Sequence, residues 1–260
     1  MSRELNAIFV IAFRDFLKLL RDRARLLISF IFPLIFIGVL GGSLQSNLGP
    51  SLGYNFLTFT FIGVLAQTLF SSTASGVISL IEDRQNDFSQ EIFISPISRY
   101  SIIIGKILGE SLVSLTQIIG ILLFGLILQI PMSFNTLISL LPFFIIACFL
   151  GGAFGVLVLA NLSDQRAANQ VFPFLIFPQF FLAGVFNPIQ VLPIYLDILS
   201  RITPMRYAVD LIRGIYYQGS PEYSKVVLDN PIFNLTIIAI MFFVFLIAGT
   251  YLFVRKERNR

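Results

Sequence analysis

The chain is predicted to be an all-α polytopic membrane protein with six transmembrane helices. Three observations carry that prediction. Of its 260 residues, 56% are hydrophobic and only 12% are charged. The apolar residues fall in long runs of roughly 20, the length a helix needs to cross a hydrocarbon core about 30 Å thick. Nearly every Lys and Arg lies between those runs. A transmembrane barrel would alternate apolar and polar residues over about ten positions, whereas these runs are apolar at successive residues.

The amino-terminal segment, residues 1–25, places Leu5, Ile8, Phe9, Ala12, Phe13, Phe16, Leu17 and Leu20 at helical spacing, with Arg14, Lys18, Arg21 and Arg25 on the opposite face. That pattern predicts an interfacial helix with its apolar side in the membrane and its basic side toward anionic lipid or a cytosolic partner. Spans 1–5 occupy residues 26–187. The first, Leu26 to Leu44, follows a polar leader and precedes no small-residue cleavage pattern, so it is read as a mature helix rather than a signal peptide. The second, Tyr54 to Ile81, carries Gln67, Ser71, Ser75 and Ser79 at steps of four, with Thr68 and Ser72 beside them. Such a hydroxyl and amide face avoids lipid and serves either interhelical hydrogen bonding or substrate lining.

Between spans two and three, Phe88, Ile92 and Phe93 fall at helical spacing in a segment charged at both ends by Asp83, Arg84, Glu91 and Arg99. This predicts a short cytosolic helix ended by Ser95-Pro96, because proline disfavours helical geometry at the residue before it. Its apolar stripe needs a cover. Lys106 and Glu110 stand four apart at the entry to the third span, Ser111 to Ile130. Charge at membrane depth costs about 2.5 to 3.5 kcal/mol each on insertion scales, so the two are expected to pair and stay at the interface. The fourth span, Leu137 to Ala160, contains the single cysteine, Cys148, expected as a buried small hydrophobe.

The fifth span, Ala168 to Phe186, is crowded with Phe172, Phe174, Phe177, Phe180 and Phe181, and Pro173 and Pro178 predict a kink or irregularity. Gly184, Pro188 and Pro193 open an outer segment, residues 188–231. Val191, Tyr195, Ile198 and Ile202 mark one short amphipathic helix there, and Thr203-Pro204 supplies the N-cap and first residue of a second. Arg206, Asp210 and Arg213 share one side of that second helix and are expected to satisfy one another. The two helices predict a re-entrant outer hairpin. The last span is Ile232 to Val254, and residues 255–260 form a cytosolic tail. No internal repeat and no low-complexity linker divides the chain, so residues 1–260 are read as one membrane domain.

The orientation follows from the basic residues, which resist translocation. One side holds Arg3, Arg14, Lys18, Arg21, Arg23, Arg25, Arg84, Arg99, Lys106, Arg166, Arg255, Lys256, Arg258 and Arg260. The other holds only Arg201, Arg206, Arg213 and Lys225, matched by Asp197, Asp210, Glu222 and Asp229. Both termini are therefore expected in the cytoplasm. With no Trp in the chain, the aromatic belt falls to the eight tyrosines, which lie near span boundaries or in the outer segment. The sequence pI near 9.4 is accounted for by this asymmetry and does not point to nucleic acid.

The absence of histidine removes metalloprotease, haem-ligating and histidine-based acid–base chemistry, and no catalytic or metal constellation replaces it. Gly105-Lys106 is followed by Ile107, and Tyr100 stands where a phosphate-binding loop has its first glycine. The chain is expected to bind no nucleotide by that device, so any ATP-driven transport needs a second polypeptide.

Two stretches resemble the permease subunits of type-2 ATP-binding-cassette exporters, and the resemblance in span order covers the whole chain. Asp83-Arg84, Phe88, Glu91 and Ser95-Pro96, followed by Arg99 and Gly105-Lys106, are similar to the cytosolic loop that contacts the nucleotide-binding subunit. Asp87 departs from that pattern, where relatives commonly carry glycine. Phe172-Pro173, Phe180-Phe181, Gly184, Phe186, Pro188, Leu192-Pro193, Pro204, Tyr207-Ala208-Val209-Asp210 and Arg213 are similar to the family's signature stretch. The resemblance implies an export permease in the plasma (inner) membrane, without enzymatic activity of its own. It pairs with itself or a similar permease and sits on two ATPase subunits that hold ATP and Mg²⁺. Residues 83–99, Phe93 included, are then the coupling helix. Substrates in such a family are lipophilic drugs, lipids, polysaccharides or lipid-linked sugars. Gln67, Thr68, Ser71, Ser75, Phe177, Phe180 and Phe181 are candidates for a path suited to a drug-like molecule or lipid.

Overall fold

The computed structural model of the chain describes residues 2–81, 97–162 and 164–258, and among these there is helix and no strand. The amphipathic leader forms α1 (Ser2–Arg21), and α2 (Arg23–Ile35) follows after a single residue. Pro33 withholds one backbone donor from α2, and just beyond it the helix widens into a π segment, Phe36–Gly41, before resuming as α3 (Gly42–Leu52). Gly53, at φ +70°, closes α3 in the left-handed conformation that suits glycine. The central helix α4 (Phe56–Gly76) starts at Asn55, whose side chain accepts from the Thr58 amide at 2.9 Å. Gln45 of α3 adds a second cap, accepting from the Phe56 and Leu57 amides.

Ser98, Ser133 and Asp164 cap α5 (Arg99–Ile127), α6 (Phe134–Ala160) and α7 (Gln165–Leu182) in the same way. A short 3₁₀ turn (Ile189–Val191) leads into α8 (Ile194–Ile202) and α9 (Pro204–Tyr216). After α10 (Tyr223–Val226) comes the terminal helix α11 (Pro231–Arg258). Thr203 and Pro204 stand where expected at the start of α9. The Thr203 hydroxyl, however, donates back to the Leu199 carbonyl at 3.1 Å instead of capping.

Five stretches are long and apolar enough to cross a membrane: Leu27–Asn47, Phe56–Ile81, Arg99–Ile127, Phe134–Ala160 and Tyr223–Arg255. The sequence predicts a sixth over residues 168–186. Helix α7 stands there, but it is 18 residues long and includes Gln165, Arg166, Asn169, Gln170 and Gln179, which dilute its apolar character. It runs as α-helix through both Pro173 and Pro178 rather than breaking. The third span also begins earlier than expected, because α5 extends the helix back to Arg99 and takes Lys106 and Glu110 inside it.

Helix α4 is the hub, with α5, α6 and α9 packed around it. Its most apolar window is 72% buried, against 17% for the first span, which lies at the perimeter. Gly151 and Gly155, four apart on α6, face the α4 backbone so closely that a Cβ there would lie 2.2 Å from the Phe70 carbonyl oxygen and 2.5 Å from that of Ala74. Without a hydrophobic drive between helices in lipid, such backbone approach supplies the packing that holds them.

Candidate functional site

Three regions gather the residues singled out in the sequence. At the end of the bundle next to residues 82–96, α1 crosses the start of α5. Gly105 and Gly109 of α5 let the α1 backbone approach at Ile8 and Ala12. Beside that crossing, Lys106 forms an ion pair with Asp15 of α1 at 2.8 Å, with side chains 1% and 2% exposed. Asp15 also accepts from Arg14. Glu110, one turn beyond Lys106, is buried too, and it receives the Ser79 hydroxyl at 3.2 Å and lies against Gly76. The expectation of an interfacial Lys106–Glu110 pair therefore gives way to a buried cluster that draws in Asp15. At the same end, Glu4 accepts from the Ser98 amide at 3.0 Å, and the Ser101 hydroxyl and Ser98 amide hold its carboxyl below the ordinary carboxylate range. Arg99, the first residue of α5, is half-buried. Asp83, Arg84, Phe88, Glu91, Phe93, Ser95 and Pro96 lie outside the described residues.

The buried face of α1 modifies the expected interfacial helix. Ile11, Ala12 and Asp15 pack inward, while Leu5, Phe9, Phe13 and Leu20 remain exposed as an apolar stripe. One part of α1 is thus an intramolecular contact and another is left for lipid.

The second region lies where α2 and the π segment meet α7. Phe32, Phe36, Phe177, Phe180, Phe181 and Phe186 form a continuous set of ring contacts with centroids 4.2 to 6.1 Å apart. Phe180 and Phe186 are buried, while Phe32, Phe177 and Phe181 are 42%, 52% and 46% exposed. Of the path candidates on α4, Gln67 is buried and donates to the Ser71 hydroxyl at 3.0 Å, and Thr68 donates to the Val64 carbonyl. Ser75 is exposed. The hydroxyl that does cross between helices is one the four-residue repeat misses: Thr73 meets Ser114 of α5 at 2.8 Å, both fully buried, beside Cys148 of α6.

The third region is the hairpin. Arg206, Asp210 and Arg213 share a helix face as expected, but they do not satisfy one another. Arg206 turns to Asp197 at 3.0 Å and to the Ser200 hydroxyl. Asp210 accepts from the Leu228 and Asp229 amides and from the Asn234 side chain at 2.7 to 2.9 Å, tying α9 to the start of α11, and its burial pushes its carboxyl up. Arg213 donates to the carbonyls of Gly184, Val185 and Phe59 and stacks 3.5 Å over the Phe59 ring. Burial lowers its pKa to about 10, which leaves it charged at neutral pH. Pro188 precedes the 3₁₀ turn, Pro193 precedes α8 and Pro204 opens α9, so each proline marks an element boundary.

Residues 6–217, from within α1 past the end of α9, match the ABC-2 type transporter family. The chain belongs to that family. A protein of Cyanophora paradoxa named transport permease ycf38 is 27% identical over 90% of this chain and 82% of its own length. Its namesake in Porphyra purpurea is 26% identical over 83% of this chain and 75% of its own. A protein of Escherichia coli K12 named multidrug ABC transporter permease YbhR is 25% identical over 66% of this chain, which spans 46% of that relative. This ABC-2 permease therefore associates with an ABC ATPase. Among the described residues no His, Cys, Asp and Glu cluster could hold a metal ion.

Proposed function

We propose that this ABC-2 permease exports a lipophilic or amphipathic molecule, drug-like or lipid, out of the cytoplasm. Two copies pair in the plasma (inner) membrane over two ATPase subunits that bind ATP and Mg²⁺. In this reading α7 is the sixth span, both termini are cytoplasmic, and residues 83–99 dock on the ATPase. The observation that carries the substrate class is the phenylalanine cluster of α2, the π segment and α7. Three of its rings, Phe32, Phe177 and Phe181, stand open at the perimeter of the monomer. An apolar, aromatic-lined surface with few polar groups binds hydrophobic ligands. A polysaccharide would need hydrogen-bonding groups along its route, and this face has few.

The test is flux of a lipophilic fluorescent substrate into inverted vesicles containing the permease and its ATPase. Phe177→Ala and Phe181→Ala should each slow flux several-fold while ATPase association persists. Gln67→Leu should change substrate preference if its face also lines the path. Phe93→Ala, by contrast, should weaken ATPase association, since removing an interface hot-spot aromatic costs about 2 kcal/mol or more. Flux unchanged in both α7 variants would refute the substrate class. Unchanged association and turnover in Phe93→Ala and Glu91→Ala would remove the loop from the mechanism.

A further inference from the structure

Outside the transport path, the hairpin holds a second site. Asp197, Arg201, Arg206 and Asp229, with Gln190 and Ile194, line a cavity of about 390 Å³. Two guanidinium groups and two carboxylates make it neutral overall. Asp197 is engaged by both arginines. Arg206, with its side chain 8% exposed, keeps spare donors: its Nε has no partner, and its Nη2 lies 3.9 Å from Asp229 Oδ2, beyond hydrogen-bond distance. A donor and an acceptor therefore face each other across a gap that neither closes.

The group that fits such a gap both accepts from a guanidinium and donates to a carboxylate. A hydroxyl does both. An ammonium only donates and a phosphate only accepts, so either would leave one side unanswered and face a like charge. One water could bridge the pair, but a water occupies about 30 Å³, far less than the cavity. No aromatic ring lines the cavity, which argues against a quaternary ammonium, whose binding relies on ring faces.

The same cavity opens beside an unpartnered apolar face. Ile194, Ile198 and Ile202 of α8 are exposed, and Ile194 also lines the cavity. The hairpin leaves the end of α7 and returns to the start of α11, so α8 lies at a membrane surface whichever way the protein is oriented. We propose that the cavity binds the sugar headgroup of a neutral glycolipid, whose acyl chains run along the isoleucine face of α8. The charged groups recognise hydroxyls, and the isoleucines recognise hydrocarbon. The site is independent of what the permease exports.

The test uses the full chain in phosphatidylcholine nanodiscs, supplemented at equal mole fraction with a monoglycosyl diacylglycerol, phosphatidylethanolamine or phosphatidylglycerol, or with the free sugar in the buffer. The glycolipid should raise the thermal midpoint by about 3 °C or more, and the other additions should not. Asp229→Ala removes the carboxylate but not the backbone amide that binds Asp210, and it should lose the shift while keeping its midpoint in plain phosphatidylcholine. Ile198→Ser probes the hydrocarbon end without touching the charges, and should need about tenfold more glycolipid for half the shift. Equal shifts from all lipids, a free sugar as effective as the glycolipid, or wild-type responses in both variants would overturn the proposal. Stabilisation that follows the number of protein copies per disc would place a second copy on α8 and overturn it as well.

Discussion

Arg213 donates to the carbonyl of Gly184 at 2.7 Å, joining helix α9 to the turn that ends α7. Gly184 has φ +72°, and the Gly184 and Val185 amides return to the Phe181 and Phe180 carbonyls, a Schellman ending that requires the left-handed conformation. The turn aims two of its own carbonyls at one guanidinium, which reaches a third on α4 through Phe59. One buried cation thus fastens three elements.

Arg213→Met would leave those three buried carbonyls without a donor. The expected destabilisation is about 3 kcal/mol or more. Arg213→Lys should recover only part of it, because an ammonium lacks the planar fork that spans several acceptors. Unfolding midpoints of the two variants in one detergent check both the size and the order.

The Asp15–Lys106 pair is buried on both sides, so removing one member strands the other. Asp15→Asn and Lys106→Met are each expected to cost about 3–5 kcal/mol, and the double replacement Asp15→Leu with Lys106→Met to restore most of the loss. A double-mutant cycle on unfolding free energy measures the coupling. Simple additivity would mean the pair does not hold α1 to α5.

Hydrogen bonds from Arg201 and then Arg206 hold the Asp197 carboxyl below its ordinary range. A depressed folded value means that Asp197 adds stability above the unfolded value of about 4, and that this is lost as pH falls through the folded value. Acid titration of the wild type should therefore show the hairpin loosening below about pH 4. Asp197→Asn should flatten that part of the profile, and protease cutting between residues 188 and 230 as a function of pH would report it.

Several features were legible along the chain because they depend on spacing within one helix. The caps at Ser98, Ser133 and Asp164, the prolines at element boundaries, and the amphipathic faces of α1 and α8 belong to this group. The charges of α9 were misjudged for the same reason. Helical spacing puts Arg206, Asp210 and Arg213 on one side, yet partners at Asp197, the α11 start and Gly184 lie closer in space. Asp15 had a signal that could have been followed: it continues the Ile8, Ile11 and Ala12 face, and a carboxylate on a buried face calls for a cation. Thr73 had none, since its partner Ser114 is 41 residues away.

From the order of its residues alone, the chain was bound to be helical and membrane-embedded, because long apolar runs in lipid must satisfy their backbone internally and the basic residues must stay between them. Family membership was also visible, in the residues around the cytosolic loop and the α7-to-α9 stretch. The tertiary structure decided which helix is central, that α7 falls short of the other spans in apolar length, that Lys106 takes Asp15, and that six phenylalanines from two distant segments form one surface. Those outcomes rest on how helices cross, and crossing is set by glycine contacts such as Gly105 on α1 and Gly151 on α4. A one-dimensional pattern tells which face of a helix is apolar; it does not tell which neighbour that face will meet.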